Sequence, residues 1–270
     1  MISKTFNFQD SKISYKVLGK GYPVVLLHGF GFSNKIWFEI AESLKNDFMF
    51  IMPDLPGSGG SEKLYKQNVS LTDYAEVINE LIKIENLISP VIIGHSMGGY
   101  ITMAFEKKYP DLSVAICLFH SSSYSDDIEK INSRKKSIEF IKKFGSETFM
   151  NNNISGLFYN KEKSANDIFK YTEDAIKIAP EVIIQYYEAM IKRDDNSDVL
   201  KKINKPVMFI VGESDTAIPF KLSLQQAYIP NSSEIVILRN SSHMGMLEEE
   251  SKSSKTLCKF LNDVLLNKVS

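Results

Sequence analysis

Ser96 is the residue of this chain best placed for covalent chemistry. It lies in Gly94-His95-Ser96-Met97-Gly98-Gly99, which satisfies the spacing G-x-S-x-G. An apolar run at 91–93 precedes it and a helical pattern at 98–108 follows, so the serine falls on a strand–turn–helix junction. A turn that sharp strains the backbone at the serine, and side chains two residues before and after would collide, hence Gly94 and Gly98. The hydroxyl then stands at a helix N-terminus, where peptide N–H groups and the helix dipole favour negative charge. A serine so placed is suited to attack an acyl carbon.

A serine hydroxyl is a poor nucleophile without a base. Four histidines are available: His28, His95, His120 and His243. On a strand–turn–helix serine site the partners follow in the order serine, acid, histidine. Only His120 and His243 come after Ser96. Of these, only His243, in Ser241-Ser242-His243-Met244-Gly245, leaves room for an acid at an intervening strand end. Asp215, in Gly212-Glu213-Ser214-Asp215 behind the apolar run 207–211, is the acid expected to orient that imidazole. Glu213 and Asp126 are its rivals, and His28 and His95 read as turn-stabilising or supporting groups. A tetrahedral oxyanion needs N–H donors. The Met97 amide, directly after the nucleophile, is one, and the Phe30 amide in His28-Gly29-Phe30-Gly31 is the other. Phe30, Met97, His120 and Met244 adjoin these positions and are the candidate substrate contacts.

The elements that must hold these residues alternate along the chain. Short apolar runs at 24–27, 48–52, 91–93, 114–119, 207–211 and 235–238 suit strands buried on both faces of a parallel sheet. Amphipathic helical patterns at 34–44, 71–84, 98–108 and 247–266 fill the gaps, which implies right-handed crossovers. Residues 4–8 and 14–17 read as an antiparallel hairpin on the sheet edge. Residues 121–202 break the alternation with helical, aromatic-rich sequence and no buried strand, and are expected to form an inserted helical cap.

Composition limits the partners. Hydrophobic residues make up 43% of the 270, enough for a sizeable core, and the formal net charge is -1, from 32 basic and 33 acidic residues. No overall field recruits nucleic acid or an anionic membrane. Arginine occurs only at 134, 193 and 239, so guanidinium forks for phosphate are scarce. The two cysteines, Cys117 in an apolar run and Cys258 in a helical pattern, suggest neither a disulfide framework nor a thiolate metal site. The N-terminal residues have no apolar signal-like region and no stretch approaches the roughly 18 apolar residues of a membrane span, so a cytoplasmic protein is expected.

The motifs His28-Gly29-Phe30-Gly31, Asp54-Leu55-Pro56-Gly57-Ser58-Gly59-Gly60-Ser61, Gly94-His95-Ser96-Met97-Gly98-Gly99, Gly212-Glu213-Ser214-Asp215 and Ser242-His243-Met244 together resemble the α/β-hydrolase superfamily, in its small, single-cap, cofactor-free branch. The resemblance implies an α/β fold with an eight-stranded, mostly parallel sheet flanked by helices. Residues 1–120 and 203–270 would form the core, residues 121–202 the cap between strands six and seven, with a pocket between them. It implies no cofactor and no metal, and a monomer or homodimer acting on a small-molecule ester. Haloalkane dehalogenases and epoxide hydrolases of this fold use an aspartate nucleophile, whereas position 96 is serine. Proline iminopeptidases usually carry Gly-Gly-Ser-Trp-Gly, and His95 and Met97 differ. The menaquinone-pathway synthase continues its elbow with arginine where Tyr100 stands. Hydrolysis of a small, largely apolar carboxylic ester is therefore the expected activity. Carbon–carbon bond hydrolysis or menaquinone-synthase-like chemistry is the alternative, and a triad-retaining small-molecule receptor is the reading of another class.

Overall fold

The computed structural model describes the backbone of residues 1–269 and the side chains of residues 1–266. Eight strands form one sheet: β1 (Ile2–Phe8), β2 (Ser11–Gly19), β3 (Tyr22–Leu27), β4 (Phe48–Pro53), β5 (Val91–His95), β6 (Ala115–Phe119), β7 (Val207–Gly212) and β8 (Ser233–Leu238). Their order is β1-β2-β4-β3-β5-β6-β7-β8. β2 runs antiparallel to β1 and β4, and every later pairing is parallel, from Val24 against Val91 to Ile210 against Val236. The expected hairpin lies on the sheet edge and runs longer than expected at both ends, and Tyr15–Gly19 of β2 also pairs with β4.

The continuous apolar runs of β5, β6 and β7 are buried at every position, as strands covered on both faces must be. β8 departs from that expectation. It is the last strand of the sheet, and Glu234 to Ile237 are only partly buried.

Helices fill the crossovers. α1 (Phe38–Leu44) follows a 3-10 turn at Asn34–Trp37, and α2 (Leu71–Ile84) buries Tyr74, Val77, Ile78 and Leu81. The α2 start is closed by a capping box, in which the Ser70 N–H donates to Asp73 Oδ2 at 2.8 Å. α3 (Met97–Lys108) is the helix that Ser96 opens.

Between β6 and β7 the described chain is helical: α4 (Ile128–Asn153), α5 (Ala165–Ala175), α6 (Pro180–Ile191) and α7 (Ser197–Lys202). α4 breaks at Gly145, whose φ of 83° is non-helical. α6 is fastened to the β4–α2 loop through Tyr186, whose hydroxyl donates to the Pro56 carbonyl at 2.8 Å and lies 2.6 Å from Ser58 Oγ. Of the aromatics in this region, Phe149, Phe158, Tyr171, Tyr186 and Tyr187 are buried, while Phe144, Tyr159 and Phe169 face solvent. α8 (Phe220–Ala227), α9 (Gly245–Glu248) and α10 (Glu250–Val269) complete the chain described. Cys117 is buried in β6, Cys258 lies in α10, and both are free thiols. Among the described residues no helix is long and apolar enough to cross a membrane.

Candidate active site

The parallel strands deliver their C-terminal ends to one side of the sheet. Ser96 caps β5, His120 caps β6, Asp215 lies three residues beyond β7 and His243 five residues beyond β8. Ser96 has φ 51° and ψ -116°, the strained conformation expected of a sharp strand-to-helix turn. Its own amide donates to the Phe119 carbonyl at 3.0 Å, and its carbonyl accepts from Ser121 Oγ at 2.7 Å and the Gly99 amide at 2.9 Å. The flanking glycines are needed for close approach, though not symmetrically. A Cβ at Gly94 would stand 2.4 Å from the Gly98 carbonyl oxygen, whereas one at Gly98 would meet the Leu27 carbonyl oxygen at 2.5 Å, at the end of β3.

The His28-Gly29-Phe30-Gly31 loop lies against the turn. A Cβ at Gly29 would come within 3.1 Å of the Ser96 Cβ. His28 fixes this loop from below. Its Nδ1 lies 2.8 Å from the Gly29 carbonyl and so donates, while Nε2 accepts the Leu55 amide at 2.8 Å. Complete burial lowers its pKa and keeps it in that neutral tautomer. Met97 is the first residue of α3, where amide N–H groups have no acceptor within the helix. Phe30 lines the same cavity as Ser96, and Met97 directly follows it in the chain.

Asp215 is the best-connected acid. Its Oδ2 lies 2.8 Å from His243 Nδ1 and 3.3 Å from His120 Nδ1. Its Oδ1 accepts the amides of Ala217 at 2.8 Å and Ile218 at 2.9 Å. Burial pushes this carboxyl up, but the attraction and hydrogen bonds of the two imidazoles outweigh it and hold the group far below the ordinary carboxylate range. Glu213 is exposed. Asp126 is bound instead by Arg134 at 2.6 Å and Arg193 at 2.9 Å.

The three ligand atoms of His120, Asp215 and His243 lie within 4.8 Å of one another. That spacing is compatible with a small metal centre. However, the 2.8 Å contact between Asp215 and His243 is a direct hydrogen bond, closer than ligand atoms stand on a tetrahedral ion. The constellation has the form of an acid–base relay.

His243, Ser96, Phe30 and His95 line one cavity of about 140 Å³, together with Phe32, Tyr100, Lys130, Arg134, Leu157, Tyr187, Met190, Ala217 and Ile218. Of the residues expected to contact substrate, Phe30 lines it. Met97, His120 and Met244 are fully buried and lie outside its wall. His120 is turned inward at φ 47°. Its Nε2 faces the Gly245 amide at 3.0 Å, and its Nδ1 faces both the Gly212 amide at 3.1 Å and Asp215 Oδ2 at 3.3 Å. His95 donates from Nε2 to the His243 carbonyl at 2.9 Å, and burial, followed by the neighbouring imidazoles, holds its pKa well below the ordinary value.

Two supports of the His243 loop escaped the motif reading. The His243 amide donates to the Leu157 carbonyl at 2.9 Å. Glu248 accepts the Ser242 amide at 2.9 Å with one oxygen and the Tyr159 amide at 2.6 Å with the other, so it clasps the loop to the helical insertion. Glu248 lies five residues beyond His243, and the acidic run 248–250 was the only local signal.

A family model described as the alpha/beta hydrolase fold matches residues 22–250. An uncharacterised protein of Mycobacterium tuberculosis is 29% identical over 115 residues, covering 43% of this chain and 33% of that protein. This chain thus matches about a third of the length of the first curated relatives. Lipase 3 of a Moraxella species is 25% identical, over 84% of this chain and 73% of its own. A thermophilic esterase of Thermogutta terrifontis superposes with a TM-score of 0.89 at 24% identity, covering 97% of this chain and 98% of its own.

Proposed function

The chain belongs to the α/β-hydrolase family, and on that premise we propose that it is a serine carboxylesterase working through Ser96, His243 and Asp215. His243 Nε2 takes the Ser96 proton as the hydroxyl attacks the ester carbonyl. Asp215 holds Nδ1–H and stabilises the imidazolium that results. The amides of Met97 and Phe30 receive the oxyanion, and losing one such donor typically costs about 3 kcal/mol of barrier. The imidazolium then protonates the departing alcohol, and His243 draws a proton from water to release the acyl group.

The observation that carries this reading is the 2.8 Å Asp215–His243 pair opening onto the cavity that Ser96 also lines. Residues 121–202 act as the cap in this account, closing the cavity with Leu157, Tyr187 and Met190. Those side chains and Phe30 suit the apolar part of a small ester. The lipase of a Moraxella species and the esterase of Thermogutta terrifontis, to which the chain is similar, support the same reading.

The test is turnover on short p-nitrophenyl esters graded by acyl length, with Ser96→Ala alongside. Turnover of about 1 s⁻¹ or more on at least one ester, abolished in the variant, is expected. Turnover retained in Ser96→Ala overturns the assignment.

A further inference from the structure

Two of the three arginines of the chain converge on one carboxylate beside the nucleophile cavity. The Asp126 side chain is fully buried between Arg134 and Arg193. Arg193 is spent on the protein itself: its Nε and Nη1 donate to the carbonyls of Tyr124 and Met190, each at 3.1 Å, and its plane lies 4.0 Å over the Tyr100 ring. Arg134 bonds Asp126, passes 5.6 Å from the centre of the Tyr187 ring, and lines the cavity. Lys130 sits one turn earlier on the same face of α4 and lines the cavity as well, its Nζ held by the Ala217 carbonyl.

The permanently charged side chains that line the inner cavity are Lys130 and Arg134, both cationic. One carboxylate serves two guanidiniums, and Lys130 adds a further cation. Asp127 and Glu129 are exposed and line an outer cavity that adjoins the inner one at Lys130, Ala217 and Ile218; the Asp127 carboxylate is engaged by the Lys130 amide at 2.7 Å. Among the described residues no acidic side chain lines the inner cavity. Cations held beside apolar surface are costly unless an anion meets them. The remaining wall, formed by Phe30, Leu157, Tyr187 and Met190, offers none.

We propose that the cavity takes a small ester bearing a free carboxylate, received by Lys130 and Arg134 while the ester carbonyl lies at Ser96. This rests on the esterase reading of Ser96 and adds to it the charge of the substrate. An apolar chain on Phe30 and Met190 joins the two ends.

Binding is measured first on Ser96→Ala, by calorimetry, so that no turnover is needed. The ligands are monoethyl glutarate, with the carboxylate on the acyl side, 4-acetoxybutanoate, with it on the alcohol side, and uncharged ethyl valerate. One carboxylate ester is expected to bind at least about tenfold more tightly than ethyl valerate. Lys130→Met and Arg134→Gln, each placed in the Ser96→Ala background, are expected to remove most of that preference. Arg134→Gln strips a partner from Asp126 and can fail to fold, in which case Lys130→Met decides. Equal binding of charged and uncharged esters, or a preference that survives Lys130→Met, overturns the proposal. Tight binding of a carboxylate ester that the unmutated protein does not hydrolyse upholds the subsite and overturns the esterase reading instead.

Discussion

Replacing Asp215 by asparagine changes almost no volume, yet the surrounding donors force its orientation. The amides of Ala217 and Ile218 both point at Oδ1, so the asparagine oxygen must take that place. Its NH₂ group then faces Nδ1 of His243 and of His120, where Asp215 now accepts. His243 can meet it only by moving its proton to Nε2, the nitrogen that must be bare to take the Ser96 proton. A triad locked in that tautomer loses about 10⁴-fold in kcat, close to 5 kcal/mol of barrier. His120 meets a backbone N–H at each ring nitrogen, Gly212 at Nδ1 and Gly245 at Nε2, so either neutral tautomer opposes one of them. The assay is kcat at pH 7 on the best short ester, with urea denaturation to measure the fold. Exposed Glu213→Gln serves as control and should stay near the parent. A folded Asp215→Asn enzyme within tenfold of the parent kcat would refute the reasoning.

Gly98→Ala would drive a Cβ to 2.5 Å and 2.7 Å from the carbonyl oxygens of Leu27 and His28, where backbone rather than a flexible side chain must yield. A stability loss above about 3 kcal/mol is expected by urea titration, and an unchanged midpoint would contradict it. Glu248→Ala removes the acceptor for both the Ser242 and Tyr159 amides. It should cost about 1–2 kcal/mol and speed hydrogen exchange at those two amides; unaltered exchange would show that the clasp is not what holds the loop. Asp215 and Asp126 both have folded pKa values below their unfolded ones, because the cationic or hydrogen-bonding partners of each outweigh its burial. Each therefore adds stability that is present above about pH 4 and is lost as the pH falls toward the lower folded value. Urea midpoints should drop between pH 5 and 3, and a flat profile there would deny the linkage.

The elbow was legible because its signals are local: an apolar strand, glycines at fixed offsets, and a helix behind them, and these determine the backbone at Ser96. The strands were legible for the same reason, except at β8, where an apolar run resembled a central strand but lies at the sheet edge. Asp215 and His243 could be proposed from chain order and strand ends, since parallel strands bring such ends together. The orientation of His120 was not readable. Its position at the end of β6 suggested the cavity, but the amide of Gly245 and the carboxylate of Asp215 draw the ring inward. The Asp126–Arg134–Arg193 cluster was equally hidden. It joins the start of α4 to the end of α6 through tertiary packing that helical periodicity does not encode.

The central claim is that Ser96 is the nucleophile. Its most direct measurement is labelling by a fluorophosphonate, followed by mass mapping of the modified peptide. The adduct is expected on Ser96 alone, absent from Ser96→Ala and strongly slowed in Asp215→Asn. An adduct on another serine, or labelling that persists in Ser96→Ala, would contradict it.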